Sequence, residues 1–129
     1  NEKIDVNGNE VSKLDFTSKV LFKEWKLGDE EAEMTVMRVT LRGENSNGEL
    51  EEIVYNLHDE YDESTKTSSM ARTTGYTATA AANLFLDGHF SEKGVFPPEL
   101  VGKYEKCFNY FMEYLKDRGV IYTKKATKI

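Results

Sequence analysis

The chain has 129 residues, of which 39% are hydrophobic and 12% aromatic, a composition that suits a globular domain and excludes a disordered segment. Its 23 acidic and 17 basic residues give a formal net charge of −6, which disfavours nucleic acid as a partner because such binding rests on cationic contacts to phosphates. No run approaches the roughly 20 apolar residues of a membrane span, and the one cysteine, Cys107, cannot form an intramolecular disulfide.

These features lead us to expect a soluble, cytoplasmic protein without a membrane partner. The first residue is Asn1 rather than methionine, so we expect a chain processed or cut from something longer. Residues 1–129 are expected to form a single domain, in which residues 1–33 hold one helix and an acidic loop. The helix is predicted over residues 11–27, where apolar residues recur at roughly helical spacing and Thr17 or Ser18 would serve as N-cap.

The next segments predict an antiparallel β-hairpin. Residues 34–42 are rich in β-branched side chains, and Met37, Val39 and Leu41 share one face by the period of two. Residues 45–48 (Asn-Ser-Asn-Gly) favour a turn. The return strand is predicted over residues 50–57, and an acidic loop over residues 58–63.

Two long helices and a last strand complete the prediction. The first helix covers residues 69–87 with Gly88 as its C-terminal cap, and its alanine-rich body predicts that it is buried between two layers. After the extended residues 94–98, a second helix is predicted from Glu99 to Gly119 with a core-facing stripe. A strand over residues 120–124 and fraying at 126–129 follow. The fold class is α+β, an antiparallel or mixed sheet with helices packed against it. The stripe consists of Leu100, Tyr104, Cys107, Phe108, Phe111 and Leu115.

The sequence lacks the usual glycine-rich phosphate cradles. Neither G-x-G-x-x-G nor G-x-x-x-x-G-K-[ST] occurs, and Gly8 lies in a polar segment for which no preceding strand is predicted. His58 and His89 have no partner at zinc spacing, so we assign no metal ligand, no cofactor contact and no catalytic residue. His58 with Asp59 and Glu60 could form an acid–base or metal cluster, although a solvated loop is the favoured alternative. His89 is expected at the surface, and Cys107 in the core.

Residues 68–76 (SSMARTTGY) combine hydroxyls, a guanidinium and a glycine at the start of a predicted helix. Free backbone N–H groups at a helix start attract carboxylates, and arginine can add a two-pronged contact. We therefore identify Arg72, Thr73, Thr74 and Tyr76 as candidate substrate-binding residues. In the alternative interpretation the hydroxyls only cap the helix, and Arg72 pairs with Asp59, Glu60 or Asp62.

Residues 68–102 resemble the C-terminal region of the saccharopine dehydrogenases, the NADP-using, glutamate-forming kind of lysine metabolism. The resemblance rests on M-A-R-T-T-G-Y, the alanine-rich helix, L-D-G and G-V-F-P-P-E in this order, and it extends from about residue 34 to 123. Enzymes acting on carboxynorspermidine share the architecture.

The resemblance implies a portion of a split oxidoreductase acting on the secondary C–N bond of an amino-acid adduct such as saccharopine. The missing N-terminal domain would hold NADP or NAD, and this domain would contribute amino-acid substrate binding and homodimer contacts through its sheet. A free-standing, non-catalytic binding or assembly module is the alternative from another class. An autonomous hydrolase would need His58 and the acidic loop to meet in one cleft.

Overall fold

A computed structural model of the chain describes residues 2–28 and 30–129. It divides into two compact units, Asn1–Glu31 and Ala32–Ile129, and each is described here by itself. The boundary lies close to residue 33, the end of the segment for which the sequence predicts one helix and an acidic loop. The single domain over residues 1–129 stays a prediction. None of the helices within the described ranges has the length and hydropathy that crossing a bilayer requires.

The first unit is a short hairpin followed by a helix. Strands β1 (Lys3–Val6) and β2 (Asn9–Ser12) pair antiparallel, and α1 (Lys13–Trp25) begins after Ser12, whose side chain accepts a hydrogen bond from the Asp15 N–H. The helix prediction was therefore right in type but wrong at its start, since Thr17 and Ser18 lie inside the helix. Gly8 does follow a strand, since β1 ends at Val6. Asn7 and Gly8 both adopt positive φ and form the two-residue hairpin turn.

The second unit contains a three-stranded antiparallel sheet in the order β3–β4–β5. The predicted hairpin is confirmed as β3 (Met34–Glu44) and β4 (Leu50–Glu60), with Met37, Val39 and Leu41 opposite Leu57, Tyr55 and Ile53. The loop prediction for residues 58–63 is wrong at its start. His58, Asp59 and Glu60 continue β4 because Val36, Thr35 and Met34 pair with them across the ladder.

Strand β5 (Tyr122–Lys128) runs along the other side of β4. It is longer than the predicted segment 120–124, and the expectation that residues 126–129 fray is wrong. Ala126 pairs with Ile53, and the Ile129 N–H donates to the Leu50 carbonyl at 3.1 Å. The ladder bonds along β4 thus hold a polar, lysine-rich segment that its sequence alone does not mark as a strand.

Helix α2 (Ser69–Leu86) begins and ends as predicted, with Ser68 as N-cap and Gly88 at a φ of 70° after the last turn. The prediction that it is buried on nearly all sides is wrong within this chain. Only Ser69, Ala80 and Leu84 are buried, while Leu86 is 81% exposed. The small side chains follow several faces of the helix, but the described residues cover one of them.

The predicted helix from Glu99 to Gly119 is broken into α3 (Pro98–Gly102) and α4 (Glu105–Lys116). The break lies at Tyr104, whose ψ of 111° is extended. Gly102, two residues earlier, is a poor helix former. The core-facing stripe changes with it. Cys107 and Leu115 are buried as predicted and Phe111 is half-buried, but Leu100, Tyr104 and Phe108 are exposed and Val101 takes their place.

The core of the second unit consists of two clusters on either end of the contact between α2 and α4. One cluster joins the end of α2 to α3 and α4, and the other joins β4 to the turn between α4 and β5. The helices therefore pack on the face of the sheet that carries Tyr55 and Leu57, which confirms the α+β class. The first cluster contains Leu84, Phe90, Val101 and Cys107, and the second contains Leu57, Leu115 and Val120.

Candidate functional site at the start of helix α2

Arg72 lies in the first turns of α2 and is bonded to two carboxylates. Its Nε and Nη2 reach the two oxygens of Asp59, each at 3.2 Å, and its Nη1 reaches Asp62 Oδ2 at 3.0 Å. The Arg72 side chain is 12% exposed and that of Asp59 only 4%, so this is a nearly buried, two-pronged ion pair. The hydrogen bond to Asp59 raises the pKa of the Arg72 guanidinium above its ordinary value, and the group stays charged.

The two carboxylates lie on neighbouring parts of the fold, Asp59 on strand β4 and Asp62 in the turn after it, and different interactions hold each in place. Asp59 shares the face of β4 with Leu57, because side chains alternate along a strand, and this face points at the helices. Asp62 follows the strand in a turn. Its Oδ1 accepts bonds from the Ser64 hydroxyl at 2.6 Å and from the N–H groups of Ser64 and Thr65. These bonds, the one from the Ser64 hydroxyl first, lower the pKa of Asp62 to about 2.

The turn between α4 and β5 closes the far side of Arg72. The Nη2 of Arg72 also lies 3.4 Å from the carbonyl of Arg118. A Cβ added at Gly119 would lie 3.2 Å from the same Nη2. Gly119 has a φ of 79°, a conformation that residues with a Cβ rarely adopt. The Tyr76 ring lies one turn further along α2, with its centroid 6.0 Å from the Arg72 Cζ. One guanidinium thus ties together β4, the loop after it, α2 and the last turn before β5.

A second polar group lies beside Arg72 at the helix start. The Ser69 side chain is fully buried, and its hydroxyl bonds the hydroxyl of Thr35 on β3. The Ser69 N–H donates to the Glu33 carboxylate, and the Ser68 hydroxyl accepts from the Ala71 N–H at 3.1 Å. Protein side chains therefore already satisfy N–H groups of this helix start.

The four predicted substrate-binding residues do not converge on one space. Arg72 and Tyr76 lie together, and Tyr76 packs on the cluster around Leu57. The Thr73 hydroxyl donates to the Ser69 carbonyl at 2.9 Å within its own helix, and Thr74 faces a different region. The contacts match the alternative interpretation, in which Arg72 pairs with Asp59 and Asp62, while substrate contacts by these residues stay a prediction.

Thr74 lines an apolar pocket between α2, α3, α4 and the segment before α3. The pocket has a volume of about 590 Å³. Apart from Thr74 and Thr77, its walls are apolar side chains and glycines, so it offers no charge to a substrate that carries carboxylates. The walls are formed by Thr74, Thr77, Ala78, Ala81, Leu84, Phe85, Gly94, Phe96, Pro98, Val101, Gly102, Phe108, Phe111 and Met112.

The other chemistry-bearing residues stand apart from this site. His58 Nε2 lies 3.6 Å from Glu60 on the exposed face of β4, whereas Asp59 points to the opposite, helix-covered face, so the three do not meet in one cleft. The His89 ring lies against Tyr110, and the Cys107 thiol is buried 3.7 Å from the His89 carbonyl. Residues 2–28 and 30–129 contain no group of three or more His, Cys, Asp or Glu side chains placed to hold a metal ion.

The helix starts of the described residues do not fit the pyrophosphate of a nicotinamide dinucleotide. The glycine turn at Gly8 leads into a second strand rather than a helix. At α1 the cap Ser12 is followed by the acidic Asp15, and at α2 the Glu33 carboxylate bonds the Ser69 N–H. A negative side chain at each start would repel a phosphate that needs free N–H groups and a close approach of glycine backbone.

The alternation of side chains along β4 could have predicted part of this site from the sequence. Continuing the period of two along β4 past Leu57 places Asp59 on the helix-facing side, where a carboxylate needs a cationic partner. The bond between Ser69 and Thr35, and the approach of Gly119 to Arg72, join positions 34 to 47 residues apart, for which the sequence gives no local signal.

Comparison with known proteins agrees with the resemblance drawn from residues 68–102. The saccharopine dehydrogenase C-terminal domain model matches residues 1–120, including the first unit. The chain is 31% identical over 115 residues to the mitochondrial alpha-aminoadipic semialdehyde synthase of Rattus norvegicus, and 32% identical over 117 residues to that of Bos taurus. These matches cover 88% and 90% of this chain but 12% of each relative, so the chain spans a small part of their length. The chain belongs to the saccharopine dehydrogenase C-terminal domain family.

Proposed function

We propose that this chain is the substrate-side domain of an NAD(P)-dependent oxidoreductase that acts on the secondary C–N bond of an amino-acid adduct such as saccharopine. The observation that carries the proposal is the family match over residues 1–120. The names of the relatives support it, because oxidative cleavage of such an adduct would leave an aldehyde like the α-aminoadipic semialdehyde that they are named for making. The same reasoning places the parent protein in lysine metabolism.

The nicotinamide nucleotide belongs, in this proposal, to another domain of the parent protein. The helix starts of the described residues carry acidic side chains where a pyrophosphate would need bare N–H groups. Relatives many times longer than this chain leave room for such a domain, because the match covers 12% of each. The chain itself would contribute binding and orientation of the amino-acid substrate.

Arg72 enters the proposal as a positioning residue. Asp59, which is nearly buried, and Asp62, which Ser64 and Thr65 hold in place, already bond its guanidinium, so a substrate carboxylate would compete with both. The ion pairs fix the start of α2 instead, and with it Thr73, Thr74 and Tyr76. Of these, Thr74 is exposed and lines the apolar pocket, where its hydroxyl would make one hydrogen bond to a neutral polar group of the substrate while the aliphatic part lies against the apolar walls.

The test uses the full-length parent protein. We expect it to reduce NADP or NAD when saccharopine is supplied, and to do so faster than with carboxynorspermidine. Substituting Thr74→Val should raise the KM for the amino-acid substrate by roughly three- to tenfold, the size of one neutral hydrogen bond, and leave the nucleotide KM unchanged. Thr79→Val, which removes another hydroxyl from the same helix outside the pocket, is the matched control.

Absence of turnover with both nucleotides and both amino-acid substrates, in a parent protein shown to be folded and to bind nucleotide, would favour the non-catalytic binding or assembly module. Equal effects of Thr74→Val and Thr79→Val on the KM would remove Thr74 from the substrate side.

A further inference from the structure

The chain contains two Asn-Gly dipeptides, Asn7-Gly8 and Asn47-Gly48, and the structure places both in hairpin turns. In such a dipeptide the glycine nitrogen can attack the side-chain carbonyl carbon of the asparagine, because glycine has no Cβ to hinder the approach. The two turns therefore hold the same pair of reacting groups. Their hydrogen bonds differ, and this difference decides which asparagine reacts.

The turn between β1 and β2 holds its glycine N–H against a negative charge. Asn7 and Gly8 have φ of 53° and 84°, as in a type I′ turn, and the flanking Val6 and Asn9 are paired. The Gly8 N–H donates to a carboxylate oxygen of Asp5 at 3.1 Å. The reaction must remove this proton, and the neighbouring carboxylate opposes the anion that its loss leaves. We therefore expect Asn7 to react slowly.

The turn between β3 and β4 holds its glycine N–H by a neutral acceptor. The Gly48 N–H donates to the Asn45 carbonyl at 2.9 Å. Gly48 has a φ of 76°, whereas Ser46 and Asn47 do not have positive φ, so this is a type I turn followed by a left-handed glycine. The Asn47 side chain is exposed, and no partner within residues 2–28 and 30–129 bonds its amide. It can therefore turn towards the Gly48 nitrogen.

All three strands of the sheet meet at the turn that contains Asn47. The Asn45 Oδ1 accepts the N–H groups of Asn47 at 2.9 Å and of Glu49 at 3.1 Å, and these bonds shape the start of β4. On the other side of β4, the Ile129 N–H at the end of β5 donates to the Leu50 carbonyl at 3.1 Å. An atom added to the backbone at Asn47 would misalign these bonds.

We propose that Asn47 deamidates spontaneously and that its isoaspartyl product loosens this end of the sheet. The Gly48 nitrogen bonds to the Asn47 Cγ and loses its proton, while the Cγ–Nδ2 bond breaks and the amide leaves as ammonia. One water then opens the cyclic imide. Cleavage between the Gly48 nitrogen and Cγ gives aspartate. Cleavage between that nitrogen and the main-chain carbonyl carbon gives isoaspartate, whose backbone runs through the side chain and is one carbon longer.

Either product adds a negative charge to a corner that already contains acidic side chains. Glu44, Glu49 and Glu51 lie at this end of the hairpin, and Lys128 bonds one of them, Glu49. The added carboxylate therefore increases like-charge repulsion where the extra carbon misaligns the turn. The reaction takes place within one turn and needs only water, so it requires no partner. It is also independent of the proposed enzymatic function.

Mass spectrometry of the chain during incubation at neutral pH tests the site. Peptides with Asn47 should gain about one mass unit and separate into two forms, roughly three- to tenfold faster than peptides with Asn7, the difference between a neutral and a charge-assisted hydrogen bond. Asp5→Ala removes the charged acceptor and should raise the rate at Asn7 towards that at Asn47. Asn47→Gln, whose longer side chain closes a ring more slowly, should keep its mass.

Hydrogen exchange tests the effect on the fold. In the isoaspartyl form, the amides of Glu49 and Ile129 should exchange faster than in the unmodified chain. The Asp62 amide, beyond the other end of β4, should be unchanged. Asn47→Asp adds the charge without the extra backbone carbon and should exchange the first two amides more slowly than the isoaspartyl form.

Three outcomes would overturn the proposal. One is a rate at Asn7 equal to or above that at Asn47 in the wild-type chain. The second is the absence of isoaspartate at Asn47 after its side-chain amide is lost. The third is unchanged exchange of the Glu49 and Ile129 amides in the isoaspartyl form.

Discussion

At the scale of single residues, the Arg72 ion pairs and an exposed ion pair in the same fold differ in burial. Arg72 and Asp59 are 12% and 4% exposed, so removing one partner leaves a charge in a poorly hydrated place. The Arg42 side chain is 70% exposed, and Glu52, which would remain if Arg42 were removed, is 23% exposed and so better hydrated than Asp59. The chain therefore contains its own comparison between a buried and an exposed arginine–carboxylate contact.

The substitution Arg72→Ala should lower the free energy of unfolding by about 3–5 kcal/mol, because it leaves Asp59 buried without its partner. Arg42→Ala should lower it by about 0–1 kcal/mol. Chemical denaturation of the two variants and the wild type measures both values. Similar losses for the two arginines would show that the Arg72 contact is as well hydrated as the surface pair.

The lowered pKa of Asp62 predicts that the stability of the fold falls in acid. Its pKa is about 2 in the folded chain against an ordinary value of 3.8, because the folded state stabilises the ionised carboxylate through Ser64 and Thr65. The unfolded state binds the proton first as the pH falls, so the stabilisation is complete above about pH 4 and lost between pH 4 and 2. Unfolding measured against pH should show this decline in the wild type. The decline should be weaker in Asp62→Asn, which cannot ionise.

At the scale of elements, two glycines test two different effects on stability: Gly75 tests helix propensity and Gly119 tests backbone strain. Gly75 lies in the middle of α2 with nothing within 4 Å of an added Cβ, whereas Gly119 has a φ of 79° and would place its Cβ 3.2 Å from Arg72 Nη2. Gly75→Ala should raise the free energy of unfolding by about 0.5–1 kcal/mol, and Gly119→Ala should lower it. Thermal unfolding of both variants checks the opposite signs. A loss of stability in Gly75→Ala would show that a neighbour covers this face of α2.

The elements that could be predicted are those whose signals are local. The hairpin of β3 and β4 has alternating side chains and a turn of asparagine and glycine, and α2 has Ser68 and Gly88 at its ends. The hairpin of β1 and β2 carries an Asn-Gly turn as well, but strands of four residues show too little alternation to be recognised. Strand β5 is lysine-rich, and its extent follows from the partner strand rather than from its own residues.

At the scale of the whole chain, the family could be identified from one segment, whereas the geometry of the candidate site could not. Residues 68–76 mark the start of α2, and the family match agrees with them. Whether Arg72 faces a substrate or a carboxylate of the protein depends on Asp59 at the end of β4, Asp62 in the next turn and Gly119 in the last one. Those positions come together only after the sheet and helices have packed.

The isolated chain should differ from the full-length parent protein in nucleotide binding. We expect no measurable binding of NADP or NAD and no dehydrogenase activity, because a pyrophosphate needs free N–H groups at a glycine-rich helix start. The Gly8 turn leads into a strand, and the Glu33 carboxylate bonds the Ser69 N–H at the start of α2. Calorimetric titration of the isolated chain, with the full-length parent as positive control, tests this expectation. Micromolar binding by the chain alone would show that it holds a nucleotide site of a kind its helix starts do not predict, and would move cofactor binding into this domain.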